Sequence, residues 1–336
     1  MRRALGIGLS LLSGCQLLSG IDTNLRLADA ADGAECGDVR TDPNHCGACG
    51  HSCLGRPCTD GVCEPVVPYS GAFFQCFALD DAYLYAQSST NILRIPRSGM
   101  NDLYSGAEPC MDMMPMPDRT LFVTTSLRVR SYTFAPNGMK TYFGAADGGP
   151  SPSNLTTDQT RVFFTVGPQL GEVKRATGNS APLYTHGEDL SALTWDTDRF
   201  LFGTVSGDVF ALPDGATSAT KLGHVAKVVN SIVRWGTSIV VASGVDVTVL
   251  GEATSLFEGL TGGTQLALAD DALYVLIGGE PGTSTGSLWR VDMRDRTKLL
   301  LAKGQDLPFR VFVDGAWVYW STRGVVGQGR ILRVAR

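Results

Sequence analysis

The sequence predicts an all-β fold, built of small four-stranded sheets closed into a ring behind a short disulfide-rich segment. Three observations carry that expectation. From residue 71 onward one pattern, a turn residue followed by an apolar strand, recurs seven times: "DDAYLYAQ" from Asp80, "PDRTLFVT" from Pro117, "DQTRVFFT" from Asp158, "TDRFLFGT" from Thr197, "GTSIVVAS" from Gly236, "DDALYVLI" from Asp270 and "DGAWVYWS" from Asp314. The anchors Asp81, Asp118, Thr160, Asp198, Gly236, Asp271 and Gly315 lie 37, 42, 38, 38, 35 and 44 residues apart. A period of roughly 40 with several short strands per unit is the signature of a β-propeller, here seven-bladed. Helical periodicity is nearly absent. Alternating residues such as Tyr83 and Tyr85, or Phe200 and Phe202, instead fit strands half-buried between blades.

Each unit supplies four strands. After the anchored strand comes a second, as in "ILRIPRSG", "VFALPDG", "LWRVDMRD" and "ILRVAR". A short outer strand follows, as in "DLYSG" at 102, "PLYTHG" at 182, "SLFEG" at 255 and "KLLLAKG" at 298. A further strand precedes each anchor, as in "FFQCFAL" at 73 and "FRVFV" at 309. The last repeat stops at "RILRVAR" without an outer strand, while "VPYSGAFFQC" (67–76) aligns with "DLYSGAEPCM" (102–111). Residues 66–70 are therefore expected to complete the last blade, which leaves no open ring edge. The expected blades are 71–106, 107–146, 147–187, 188–224, 225–260, 261–304 and 305–336. Six or eight are the alternative counts if 147–187 or 225–260 is misread. The same alignment sets Cys76 and Cys110 at equivalent places on neighbouring inner strands, so a Cys76–Cys110 disulfide is expected to pin blade one to blade two.

The N-terminus reads as an address. Arg2 and Arg3 precede an apolar run from Ala4 to Leu12 and the small pair Ser13 and Gly14, the layout of a secretory signal peptide over 1–14. The run is about nine residues, short of the ~20 that span a bilayer as a helix. No other segment is long and apolar enough to span. The arginine pair lacks the flanks of a twin-arginine signal, so ordinary secretion is expected. Leu12-Ser13-Gly14-Cys15 resembles the lipobox of bacterial lipoproteins. The resemblance implies cleavage between Gly14 and Cys15, acylation of Cys15 (palmitate among the chains) and attachment to a membrane through that lipid. Gln16 following the cysteine, rather than Asp, implies by the same resemblance the outer membrane of the cell envelope. Residues 15–35 lack a strong period and read as the lipidated end and a tether.

Cysteine arithmetic agrees. Nine cysteines are an odd number for an exported chain, and lipidating Cys15 leaves eight, enough for four disulfides. The formal charge is −5, or −7 once Arg2 and Arg3 are gone, and no basic run is present, which argues against nucleic acid as a partner. Cys36, Cys46, Cys49, Cys53, Cys58 and Cys63 fall within residues 36–65, a segment too poor in apolar residues to fold without staples. Cys46-x-x-Cys49 between His45 and His51 has metal-ligand spacing, but the leader places the segment in an oxidising compartment and decides for three disulfides. Their connectivity stays open among 15 pairings. The run also resembles a small module, "DPxxCGxCGxxC", found ahead of extracellular domains in predatory and soil-dwelling deltaproteobacteria.

No catalytic constellation is legible. The chain has no His-Glu-x-x-His, no Gly-x-Ser-x-Gly elbow and no phosphate-binding glycine-rich loop with Lys-Ser/Thr. His186 and His224 share one repeat phase, just after an outer strand, where loops are expected around the channel mouth; they are the ligand-binding candidates, weighed against two loop histidines without a role. Asp80-Asp81 and Asp270-Asp271 read as turn residues that bond their own backbone. Asp196 and Asp198 offer oxygens but lack the rest of a calcium loop. Met111, Met113, Met114 and Met116 read as adaptable filling around the inner strands rather than a soft-metal site. No cofactor or metal is expected.

With these units, residues 66–336 resemble bacterial propeller repeats of the TolB-like type, especially those of myxobacterial lipoproteins. "GTVSGDVFALPDG" (203–215) also resembles a quinoprotein repeat, without that family's tryptophan pattern elsewhere. The resemblance implies fold and envelope location and leaves activity open. The expected function is a monomeric, non-catalytic, envelope-anchored binding or scaffolding module for a protein, peptide or glycan. The alternatives are a propeller enzyme (lyase, hydrolase or quinoprotein-like) and a structural outer-membrane assembly lipoprotein.

Overall fold

The computed structural model describes residues 36–336 except 72–73, 89, 98–101, 106, 135–136, 146–148, 281–282 and 324–328. Gly14, Cys15 and the tether lie outside the described residues. The compact unit is Asp38–Arg336. All its regular elements are strands, and among the described residues no helix is long and apolar enough to cross a membrane.

Seven sheets form the blades of a propeller, running in chain order over 74–105, 110–144, 152–185, 190–224, 229–249, 264–305 and 308–335. Each is an antiparallel meander whose first strand is innermost, and each inner strand packs beside the next, Pro308–Asp314 returning to Phe74–Leu79. Val66–Gly71 pairs with Gly329–Ala335 as the outer strand of blade 7, so one sheet holds both ends of the propeller.

The recurrent apolar run has a physical reason. The second strand of a blade is covered on both faces by its neighbours, so it is buried along its length rather than on alternate residues. Leu121–Thr125 and Ala272–Ile277 are buried throughout, and Arg161–Val166 and Trp317–Thr322 at all but their first residue. Outer strands such as Ser180–Thr185 are exposed or half-buried. Aromatic rings fill the gaps between blades: Phe163 of blade 3 stacks on Trp195 of blade 4 at 5.3 Å and meets Phe200 edge-on at 4.7 Å. The anchors sit in tight turns between first and second strands. Thr197, Gly236, Asp270 and Gly315 take positive φ there, the demand of a two-residue hairpin, and Arg119 and Gln159 take it in the longer turns of blades 2 and 3. Asp80 Oδ1 accepts from the amides of Ala82 (2.8 Å) and Tyr83 (2.7 Å), and Asp158 Oδ1 from those of Thr160 and Arg161.

Blade 5 departs from the four-strand expectation. Its sheet has three strands, the third only Val247–Val249, and "SLFEG" meets it through a single bridge, Val247 to Phe257. The amides of Leu256 and Phe257 both point at the Val247 carbonyl, while Leu256 turns inward and is buried. A turn at Gly251 with φ 87° precedes this segment and one at Gly259 with φ 65° follows, leaving it too short to ladder.

The cysteine-rich segment holds the hairpin Cys58–Thr59 and Val62–Cys63, with disulfides Cys46–Cys58 and Cys53–Cys63; Cys36 and Cys49 are disulfide-bonded too. The sulfurs of Cys46, Cys53 and Cys63 lie within 4.8 Å of one another, but all three are held in disulfides and none is a thiolate ligand. His51 is buried with Nδ1 2.5 Å from the Cys46 carbonyl, and His45 Nδ1 accepts from the Gly50 amide. The segment docks on the outer strand of blade 6. Its cysteines join the core of Leu301, Ala302 and Trp320, and Gly47 sits so close that a Cβ there would lie 2.8 Å from Leu299 Cδ1.

Candidate binding site at the channel mouth

A β-bulge recurs near the start of the inner strand in six blades, at 74/77, 110/112, 153/156, 190/192, 229/231 and 308/310. Bulges re-aim side chains, and Asp112, Ala192, Ser231 and Arg310 at these points all line the central channel, a cavity of about 400 Å³. Three polar side chains near the bulges tie blades 2, 3 and 5 each to the next. Asp112 Oδ2 accepts from the Leu155 amide (2.9 Å), Thr156 Oγ1 from the Trp195 amide (3.0 Å), and Ser231 Oγ from the Leu266 amide (3.2 Å). Asp112 is buried and does more. Its Oδ1 accepts from the Met113 amide and pairs with Arg310 at 2.7 Å, linking blades 2 and 7, which flank blade 1. Beside this pair, the disulfide Cys76–Cys110 joins the inner strands of blades 1 and 2.

Above the channel, on the face where the inner strands begin, lies a second pocket of about 390 Å³ that shares Gln265 and Arg310 with it. One wall is backbone. The loops at Gly262–Gly263 and Gly278–Gly279 touch, and a Cβ on Gly262 (φ 81°) would lie 2.2 Å from the Gly279 carbonyl oxygen. Another wall is apolar: Met111, Leu307, Pro308 and Phe309. Arg323 completes the rim, its guanidinium 4.7 Å over the Phe309 ring. Partial withdrawal from water first, and repulsion from Arg310 second, hold that guanidinium below its ordinary range. Exposed apolar side chains gather on this face too: Met111, Val205 and Val228.

The opposite face, where the anchor turns lie, is arranged differently. An arginine bridges every blade junction there. Arg97 of blade 1 reaches Asp314 of blade 7, Arg175 of blade 3 reaches Asp118 of blade 2, and Arg336 of blade 7 reaches Asp270 of blade 6. These three occupy one repeat position, and each also donates to a carbonyl of its own blade's turn, at Asp80, Gln159 and Gly315. Blade 4 carries Asp214 at that position and the charges swap, Arg161 of blade 3 gripping Asp214 at 2.7 Å. Arg234 holds Asp196 (2.7 Å) and Arg296 holds Glu252 (2.7 Å). Between blades 1 and 2 the arginine is Arg119 over the Tyr83 ring at 5.8 Å, and this is the junction that carries Cys76–Cys110.

The histidines lie elsewhere than expected. His186 follows an outer strand and rests on Phe202 and Phe210, with Nδ1 3.2 Å from the Tyr184 hydroxyl. His224 ends the outer strand of blade 4 and pairs with Asp208 at 2.7 Å. Neither lines the mouth pocket, because the loop has yet to cross from rim to channel at that residue. Hydrogen bonding by Lys221 first, with His224 adding to it, lowers the Asp208 carboxyl. Asp196 is taken by Arg234 and Arg199 rather than poised for calcium. Met113 and Met116 are buried filling, whereas Met111 is exposed at the mouth. Asp112, Arg310 and Arg323 were not singled out by the sequence.

No family model matches this chain, and no curated protein matches it either. Its fold is shared with solved structures of low identity. One is a chain of the mitotic checkpoint complex, 10% identical with a TM-score of 0.67, covering 81% of this chain and 93% of that one. Another is a catalytically inactive virginiamycin B lyase of Staphylococcus aureus solved with quinupristin, 12% identical with a TM-score of 0.62 over 81% of this chain and 98% of that one. A third is the computationally designed protein Ika8, 9% identical with a TM-score of 0.53, over 79% and 96%. At these identities the likeness establishes the propeller and no activity.

Proposed function

We propose that this chain is a non-catalytic binding module of the cell envelope, a monomer held to the membrane by lipid on Cys15, whose channel mouth meets a protein, peptide or glycan. One observation carries the reading of the mouth. The face where the inner strands begin bears a pocket whose Arg323 rests on an aromatic ring with no carboxylate partner among the described residues, and exposed Met111, Val205 and Val228, while on the opposite face the arginines are matched by carboxylates of neighbouring blades, including Arg175 in the pocket it lines with Asp118. Exposed apolar groups around a pocket with few polar anchors are the make-up of a recognition surface. The ionisable side chains of the pocket are two arginines, which neither give nor take a proton near neutrality. The lipid, the signal peptide and the outer-membrane location rest on the lipobox resemblance and Gln16.

Two measurements test this. Intact mass and membrane fractionation of the native chain beside Cys15→Ser should give an acylated mature chain starting at Cys15, lost from membranes in the variant; a soluble, unacylated chain refutes the anchor. A photo-crosslinking residue at Met111 should capture an envelope partner that the same residue at Asp118, on the opposite face, does not. Equal capture at both sites, or none, refutes an envelope partner at the mouth.

A further inference from the structure

We infer that the mouth pocket is a carboxylate subsite, taking the free carboxyl end of a peptide whose last side chain is apolar. This rests on the reading of the mouth as the ligand face. The charged side chains of the pocket are Arg310 and Arg323. Asp112 already answers Arg310 at 2.7 Å. Among the described residues no carboxylate pairs with Arg323, and residues 324–328, "GVVGQ", contain no acid. One uncompensated positive charge suits a monoanion better than a phosphate dianion. A guanidinium held over the Phe309 ring at 4.7 Å is restrained in position before a ligand arrives, and its planar donor fork matches a carboxylate in two parallel hydrogen bonds.

The walls select the rest of the ligand. Met111, Leu307, Pro308 and Phe309 offer apolar surface to a side chain, and the bare backbone of the two glycine loops lets another main chain come close. Gln265 is the one neutral side-chain amide of the lining, too little polar capacity for the hydroxyls of a sugar ring. A volume of about 390 Å³ holds one or two residues, the end of a chain rather than its middle. Capture of a terminal carboxylate is a recurring mode of peptide recognition.

The test uses the mature full chain and hexapeptide pools ending in leucine, fluorescently labelled, one as the free acid and one as the amide, read by anisotropy. The acid pool should bind about tenfold or more tighter than the amide pool. Arg323→Gln should abolish that preference without lowering the melting temperature, and Arg323→Lys should keep part of it. Equal binding of the two pools, no binding of the acid pool, or a preference that survives Arg323→Gln overturns the subsite. Inorganic phosphate displacing the acid pool at lower concentration than acetate, in an Arg323-dependent way, makes this a phosphate site and overturns it as well. Capture of a partner from Met111 without acid preference removes this inference alone, whereas acid preference without capture keeps the subsite and removes the envelope-partner reading.

Discussion

The two faces of the propeller use the same residue for opposite ends. On the face of the anchor turns, arginines at the ends of strands are each matched, by a carboxylate of the neighbouring blade at six junctions and by the Tyr83 ring at the seventh. On the face of the mouth, Arg310 is matched by Asp112 while Arg323 rests on Phe309. The anchor face thus uses its arginines to hold blades together, whereas the mouth has one arginine in such a tie and one that the proposed function leaves to a ligand. A charge satisfied within the fold stiffens it, and a charge left over is available to something outside it.

The junction between blades 1 and 2, where a disulfide stands in for an ion pair, should be the most costly to open. Removing the disulfide as Cys76→Ala with Cys110→Ala reopens a loop of 34 residues and should cost about 3–4 kcal/mol in a denaturant titration. A loss under about 1 kcal/mol would mean that Arg119 on Tyr83 suffices there. Asp112→Ala comes next. It strands Arg310, whose side chain is 25% exposed, and the Leu155 amide, and should cost about 2–3 kcal/mol. Adding Arg310→Leu should recover part of that loss; no recovery would show that Asp112 acts through the backbone amides instead. On the other face a single clamp matters less. Arg97 and Asp314 are both about one-third exposed, so Arg97→Gln should cost about 1 kcal/mol or less and leave peptide binding unchanged. A large change in binding would show that the two faces are coupled.

The smallest effect per group is with pH. Burial alone would raise Asp118, but the Thr120 amide and Arg175 outweigh it and hold its carboxyl below the ordinary range. Asp271 is lowered by the indole of Trp235 first, with Arg294 adding to it. A folded value below the unfolded one stabilises above the unfolded value, and the gain disappears as pH falls through the folded value. The melting temperature should therefore hold from pH 7 to about pH 5 and fall below about pH 4. Arg175→Gln should blunt that fall slightly, and a pH-independent melting temperature would remove the clamps from the account.

Much of this was legible in the sequence because it repeats. A turn that needs positive φ and a strand buried on both sides recur with the period, so Asp80, Asp158 or Gly236 stands out wherever it falls. The clamps were legible in principle, since Arg97, Arg175 and Arg336 sit in "IPRSG", "VKRATG" and "RVAR" at one repeat position. The mouth was not. Asp112 and Arg310 are far apart in the chain and meet only because bulges turn both inward, and a bulge has no fixed residue code when glycine is not used. The histidines show the same limit: repeat phase places a residue along its blade but not its distance from the axis, and His186 and His224 do not line the mouth pocket.

The closing strand has a mechanical consequence. Val66–Gly71 is the one strand through which the ring can be opened from its N-terminus, and the stapled segment just before it is seated on blade 6. A pull arriving from that end meets the disulfides of the segment and a docked surface before it loads the closing strand. The staples work as strain relief, as on a cable where it enters its housing. Reduced protein stretched from its N-terminus should then open at lower force than oxidised protein, and equal forces would mean that the strand itself bears the load.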